Sequence, residues 1–280
     1  MVLTIDVGNT QTIIGIFDND ELVFTARISS DRHKTRDEYA VAISSTLSLY
    51  KGKRNEFEGA IISSVVPQIS GHLEGAIKLL FNCKVFLVGP GVKTGLNIKI
   101  DNPAQLGADL VCVSVAALKK YPVPSIVFDL GTATTISALN EKGEMIGGSI
   151  LTGVNTALNA LASGTAQLPQ ISLDGDVAVI GSNTVDCMRS GAVLGNASMI
   201  DGMILRYREI LGDNLTVIAT GGSAVFGKEA MEHFKKIGTV VYIKLGFEEI
   251  EERLGDLHQR GSPGTRPRRT YCVPSYFASF

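Results

Sequence analysis

Two stretches of the sequence set an aspartate ahead of a glycine and a run of hydroxyl and amide side chains. In residues 1–16, MVLTIDVGNTQTIIGI, a short apolar strand (Val2, Leu3, Ile5) delivers Asp6 into a turn of Gly8, Asn9 and Thr10, and Ile13, Ile14 and Ile16 lead away from it. In residues 125–136, SIVFDLGTATTI, Asp129 precedes Gly131, Thr132 and Thr134 in the same fashion. Such a turn offers backbone N–H groups and hydroxyls to an anion, and a carboxylate at its start can hold a hard cation against a phosphate. One copy alone is equally well a tight hairpin turn, the commoner use of these residues. Two copies, each running on through a polar turn (Asp18 to Asp20; Asn140 to Gly143) toward another short strand, indicate two related domains. No G-x-x-x-x-G-K-[ST] pattern occurs, and neither turn contains a lysine.

A third acid stands out by its surroundings. Asp109 is the only acidic residue between Asp101 and Asp129, in a segment carrying Leu106, Leu110, Val111, Val113, Val115, Ala116 and Ala117. An ionised carboxylate among apolar side chains needs a partner or an opening, because its desolvation is costly. Spacing alone leaves a functional acid and a structurally hydrogen-bonded one equally open.

The elements that must position these acids follow from periodicity. Glu21–Ile28 completes a meander with the first hairpin. Thr35 and Glu38 form a capping-box signature before a helix whose apolar face is Tyr39, Val41, Ile43, Leu47 and Leu49. Residues 59–66, GAIISSVV, read as a buried parallel strand stopped by Pro67, with Ser63 and Ser64 at its end. A helix over 71–81 and a strand over 84–88 follow. Asp101 or Asn102 as cap and Pro103 in the first turn predict a helix running to about Lys120. After KKYPVPS the second copy begins, with glycines at 147, 148 and 153, a helix over 155–162, and another helix starting at Asn183 or Thr184. Thr184 reads first as a helix cap. Residues 215–222, LTVIATGG, form a strand ending in a glycine pair.

The duplicated unit resembles the two phosphate hairpins of the actin-like ATPase superfamily, which includes hexokinase and acetate kinase. Within it the chain resembles the type III pantothenate kinases through DVGNT (6–10), TRDEY (35–39), SSVVP (63–67), GPGVKTGL (89–96), NPAQLGAD (102–109), DLGTAT (129–134) and TVDCMRSG (184–191), over roughly the first 220 residues. The resemblance implies an α/β fold of two similar ribonuclease H-like domains, with mixed sheets flanked by helices and a ligand cleft between them. The expected limits are 1–117 and 118–261, with 262–280 as a disordered tail.

It further implies ATP-dependent phosphorylation of pantothenate to 4'-phosphopantothenate, the first step toward coenzyme A. Asp109 would be the catalytic base. Asp6, Val7, Gly8, Asn9, Thr10, Gln11, Thr12, Ile13 and Thr132 would bind ATP, and Asp6 would take Mg²⁺. Asp129 would take a monovalent cation, K⁺ or NH₄⁺. Ile100, Gly107, Ala108, Asp109, Leu110 and Thr184 would line the pantothenate site, although many members carry tyrosine at the position of Ile100 and arginine at that of Leu110. A cytoplasmic homodimer is expected. The alternatives are another actin-like kinase acting on a sugar or carboxylate, and a catalytically weak nucleotide-binding regulator.

Beyond Gly222 the family pattern lapses, and residues 223–261 resemble the C-terminal segment of a shikimate kinase, whose phosphate loop is absent here. Residues 262–280 hold three of the nine prolines and an arginine cluster, which favours a disordered tail. Composition agrees with a globular protein: 280 residues, 45% hydrophobic and 19% charged, with a net charge of -2. That charge argues against nucleic-acid binding through a basic surface. No apolar run is long enough to span a membrane, and the N-terminus has no signal-peptide pattern. The four cysteines show no C-x-x-C spacing and read as reduced thiols, and the four histidines are isolated.

Overall fold

A computed structural model of the chain describes residues 1–19, 21–50, 57–221 and 270–273. The chain divides into two compact units, Met1–Lys119 and a second beginning at Lys120.

In the first unit β1 (Val2–Val7), β2 (Gln11–Asp18) and β3 (Glu21–Ser29) form an antiparallel meander. Two parallel strands, β4 (Gly59–Ser64) and β5 (Lys84–Leu87), extend the sheet on the β1 side, giving the order β3-β2-β1-β4-β5. Helices α1 (Arg36–Leu47) and α2 (Pro67–Leu80) pack on each other and close the core. Leu3, Ile5, Ile14, Ile16 and Ile62 from the sheet meet Tyr39 and Ile43 of α1 and Ile69, Leu73 and Ile77 of α2, all at most 1% exposed. Each such side chain contributes about 1.5–3 kcal/mol, so the strand ends carrying Asp6 and Ser63 are set on a rigid base.

Thr35 does cap α1. Its hydroxyl accepts from Glu38 N, and the Glu38 carboxylate accepts in return from Thr35 N at 2.8 Å, an arrangement worth about 1 kcal/mol. The buried face of α1 is Tyr39, Ala40, Ile43 and Leu47. Val41 and Leu49, expected on that face, are 67% and 71% exposed: the helical period turns Val41 away from the core, and Leu49 lies in the turn beyond the Ser48 C-cap. Pro67 does not merely end β4: it occupies the first turn of α2, which therefore begins four residues before the expected Gly71. Proline is suited to that position because its missing N–H would be unpaired there anyway.

A two-residue strand, β6 (Asn97–Ile98), precedes the segment around Asp109. The single helix expected from Asn102 is instead a 3₁₀ turn (Pro103–Gln105), a break at Leu106 and Gly107, and then α3 (Ala108–Lys120). The break puts Asp109 in the first turn of α3 rather than in the interior of a longer helix.

The second unit repeats the plan. Strands β7 (Ser125–Leu130), β8 (Ala133–Leu139) and β9 (Glu144–Thr152) form a meander, and β10 (Thr216–Thr220) runs parallel to β7. Residues 270–273, read from sequence as part of a disordered tail, form β11 (Thr270–Val273) parallel to β10. The β-branched and aromatic run Thr270, Tyr271, Val273 favours a strand once a sheet edge is available. The run β11-β10-β7-β8-β9 repeats the order of the first sheet. Ile126, Phe128, Ile136 and Val217 pack under Ile200 and Ile204 of a long helix. That helix starts at Thr184 after the Asn183 cap, in line with the expected start at Asn183 or Thr184. It is divided into α5 (Thr184–Ser190), a π turn (Gly191–Gly195) and α6 (Asn196–Leu211). The readings for 223–261 lie outside the described residues.

The remaining helix, α4 (Val154–Gly164), starts at Gly153 against the second hairpin. Gly153 N donates to Thr132 O at 3.2 Å, and Thr156 Oγ1 donates to the same carbonyl at 2.7 Å. A Cβ on Gly153 would stand 2.8 Å from Thr132 C and collide with the carbonyl oxygens of Gly131 and Thr132. Gly153→Ala is therefore expected to cost about 2 kcal/mol or more, as overpacking against backbone does. Chemical denaturation of the full chain reads this directly.

Candidate functional site

The first hairpin is closed by Gly8 N donating to Gln11 O at 3.0 Å, and the second by Gly131 N donating to Ala133 O at 3.1 Å. The registers show that the second turn is one residue shorter: Asp6 faces Ile13, whereas Asp129 faces Thr135. Of the stretch Asp6–Ile13, Asn9, Thr10 and Gln11 are exposed, and Gly8 is partly so. Val7 and Ile13 are core side chains, and Thr12 is fully buried with its hydroxyl bonded to Ser30 Oγ at 2.8 Å. The Thr12 side chain thus belongs to the sheet and not to the open face of the turn. Its register partner on β1 is the core residue Val7, so Thr12 shares the core face of the sheet.

Asp6, the penultimate residue of β1, is in register with Ser63 on β4, so their side chains share one face. Asp109 and Cys112 come to the same place from α3, one helical turn apart. Burial pushes the Cys112 thiol up to about 12, the Asp6 and Asp109 carboxylates add to the rise, and the neighbouring Ser63 hydroxyl opposes it. One thiol therefore feels both acids. Its raised pKa disfavours the thiolate, the reactive form.

Burial also raises the Asp109 carboxyl above the usual carboxylate range, against the hydrogen bond it accepts from Leu110 N at 2.8 Å. Gly107 makes room for this carboxylate, since a Cβ there would overlap Asp109 Oδ1 and approach Val65. A half-buried carboxylate with a raised pKa is the arrangement expected of a proton acceptor. Ala108 is buried beside it and Leu110 half-buried. Ile100 is half-buried at the bend before the 3₁₀ turn.

In the second unit Asp129 has Thr135 and Thr220 as register partners on the two neighbouring strands. Both threonine hydroxyls are buried without a hydrogen-bond partner, which leaves oxygen lone pairs available beside a carboxylate. Gly221, at φ +107°, follows β10 and lies on the backbone of Leu130, where any side chain would clash at about 2.7 Å. Thr132 is exposed at the tip of the turn. Thr184 is the exposed first residue of α5, but it is not the cap; Asn183 accepts from Asp186 N at 3.0 Å and performs that role.

Sequence reasoning missed Cys112, Thr135, Thr220 and Arg32. The i, i+3 spacing from Asp109 pointed to Cys112, and strand register identifies the two threonines. Arg32 Nη2 donates to Asn9 Oδ1 at 3.3 Å, and no local pattern announces that contact. Among the described residues no cluster of three or more His, Cys, Asp or Glu side chains could hold a metal ion, and no helix is long and apolar enough to cross a membrane.

The comparisons with known proteins point the same way. A family model described as type III pantothenate kinase matches residues 2–206, and one described as shikimate kinase matches residues 206–271. A type III pantothenate kinase from an Exiguobacterium species is 41% identical over 253 residues, 90% of this chain and 99% of that protein. Another from Halalkalibacterium halodurans is 42% identical over 224 residues, 80% of this chain and 88% of that protein. Among solved structures, a putative 2-dehydro-3-deoxygalactonokinase from Sinorhizobium meliloti shares the fold with a TM-score of 0.51 at 11% identity, covering 83% of this chain and 88% of that one. The two sheets are those of ribonuclease H-like units of the actin-like ATPase type. With the match running over most of the chain and nearly the whole of its relatives, the chain belongs to the type III pantothenate kinase family.

Proposed function

We propose that the chain transfers the γ-phosphoryl group of ATP to the primary hydroxyl of pantothenate, giving 4'-phosphopantothenate and ADP. The observation that carries this reading is Asp109, a half-buried carboxylate with a raised pKa whose neighbour Cys112 also feels the Asp6 carboxylate of β1. The acceptor oxygen attacks the γ-phosphorus, the bond to the β,γ-bridging oxygen breaks, and the hydroxyl proton passes to Asp109. The backbone of Gly8–Thr10 and the side chains of Asn9, Thr10 and Gln11 grip phosphate, as does Thr132 in its own hairpin. Val7, Thr12 and Ile13 contribute to the nucleotide site through the backbone they hold in place. Ile100, Gly107, Ala108 and Leu110 line the acceptor site.

The donor sets fit the expected cations. Without a multi-carboxylate cage among the described residues, a divalent ion is best held by Asp6 together with nucleotide oxygens and water, the usual mode for Mg²⁺. Bound there, Mg²⁺ would neutralise phosphate charge. Asp129 with the unpartnered Thr135 and Thr220 hydroxyls offers the hard oxygen donors that K⁺ or NH₄⁺ requires. We also propose a cytoplasmic homodimer. Exposed Val179, Ile180, Leu205 and Ile210, each at least 59% exposed, support a partner surface in the second unit.

A coupled ADP-release assay on the full-length protein tests the substrate. Pantothenate is expected to outpace sugars, acetate and propionate by orders of magnitude in kcat/KM. Equal rates with acetate or a hexose would transfer the chain to another actin-like kinase activity.

A further inference from the structure

The first hairpin contains no cation of its own, yet a nucleoside triphosphate brings three to four negative charges. The structure assigns that missing charge to Arg32: we propose that its guanidinium binds the polyphosphate of the nucleotide at the first hairpin. This rests on the nucleotide-binding reading above and goes beyond it by naming a residue outside both hairpins.

Three observations carry the inference. Arg32 is exposed and already seated on the turn, donating from Nη2 to Asn9 Oδ1 at 3.3 Å. That contact uses one of its five N–H donors, and Arg32 forms no ion pair among the described residues. Its neighbours are committed elsewhere: Arg36 pairs with Asp37 at 2.7 Å, and Lys34 Nζ lies 5.9 Å from the centroid of the Tyr39 ring.

The segment that carries Arg32 is also fixed at both ends. Ser30 N donates to Thr10 O at 3.0 Å, and Ser30 Oγ bonds Thr12 Oγ1, joining the segment to the hairpin. On the other side the fully buried Tyr39 clamps Asp31, its hydroxyl donating to Asp31 O at 2.8 Å and accepting from Asp31 N at 3.0 Å. His33 N then donates to Asp31 Oδ1 at 2.9 Å. A guanidinium held this way loses little freedom on meeting phosphate, and its remaining donors suit bidentate contact. It takes the place of the lysine that a Walker loop carries within the turn itself.

The test is MgATP and adenosine affinity of the full-length protein by titration calorimetry, for wild type, Arg32→Gln, Arg32→Lys and Asp109→Asn. Arg32→Gln is expected to weaken ATP about tenfold, the worth of one charge-assisted contact, and to leave adenosine unchanged. Arg32→Lys should recover part of the loss by restoring charge without the fork. Asp109→Asn should bind ATP like wild type. ATP affinity of Arg32→Gln within twofold of wild type overturns the inference, as does an equal loss for ATP and adenosine. If wild type binds ATP in an Arg32-dependent way but phosphorylates no pantothenate, the substrate reading fails and the Arg32 contact stands. If wild type binds no ATP, both fall.

Discussion

Asp109→Asn is expected to lower kcat by about 10²–10⁴-fold, the usual worth of a positioned general base, while leaving KM for ATP nearly unchanged. The amide can still accept from Leu110 N, as the carboxylate does, so the start of α3 keeps its geometry and only the proton acceptor is lost. The same substitution should raise stability at neutral pH. Burial lifts the Asp109 carboxyl above its unfolded value, so as pH rises through the ordinary carboxylate range the unfolded chain ionises first and the native state loses ground. The loss is complete once pH passes the raised native value. Thermal melts should therefore show Asp109→Asn above wild type at pH 7, with the gap closing below about pH 4, where the carboxyl is protonated in both states. In the wild-type enzyme, kcat should fall with acid at a higher pH than an ordinary aspartate would give, because the base must be ionised to accept a proton. A flat kcat across that range, or near-normal turnover by Asp109→Asn, would remove Asp109 from the chemistry.

Asp6→Asn should lower kcat/KM for MgATP by about 10²–10³-fold, on the scale of removing one preorganised electrostatic contact from a phosphoryl-transfer site. Asp6 is a strand residue between Ile13 and Ser63 in register, so an isosteric amide leaves the hairpin in place and takes away only charge. A Mg²⁺ titration at fixed ATP and pantothenate separates the two roles open to it. If Asp6 helps hold the cation, the variant needs more Mg²⁺ to reach a lower plateau. Wild-type rate and Mg²⁺ dependence would show that Asp6 serves only the fold.

The parts of the fold legible in the sequence were those written in local patterns. The meander of β1, β2 and β3, the capping box at Thr35 and Glu38, and the repeat of the first hairpin at Asp129 are each specified by neighbouring residues, and the structure has all of them. Helix ends were less legible where one residue type serves two purposes. Pro67 both ends a strand and opens α2, and Pro103 opens only a 3₁₀ turn, which stops at the extended Leu106 before α3 begins at Ala108.

The site shows the same division. Asp6 and Asp129 could be picked out as the acids opening a repeated glycine turn, and Asp109 as an acid in apolar surroundings. Cys112, Thr135 and Thr220 become meaningful only when helix phase and strand register bring them beside those acids. Thr12 illustrates the reverse, a hydroxyl in the motif that the pleat turns into the sheet. Arg32 lies 23 residues from the asparagine it contacts, and nothing in the spacing of either announces the other. The family match changes at residue 206, and among the described residues beyond it β10 and β11 take the places in the second sheet that β4 and β5 hold in the first.

The most direct test of the account is to identify the product. Full-length protein incubated with MgATP and pantothenate, followed by ³¹P NMR, should yield a phosphomonoester on pantothenate in equal amount to ADP, and neither product at comparable rate from Asp109→Asn. ADP accompanied only by inorganic phosphate, with pantothenate recovered unmodified, would contradict it.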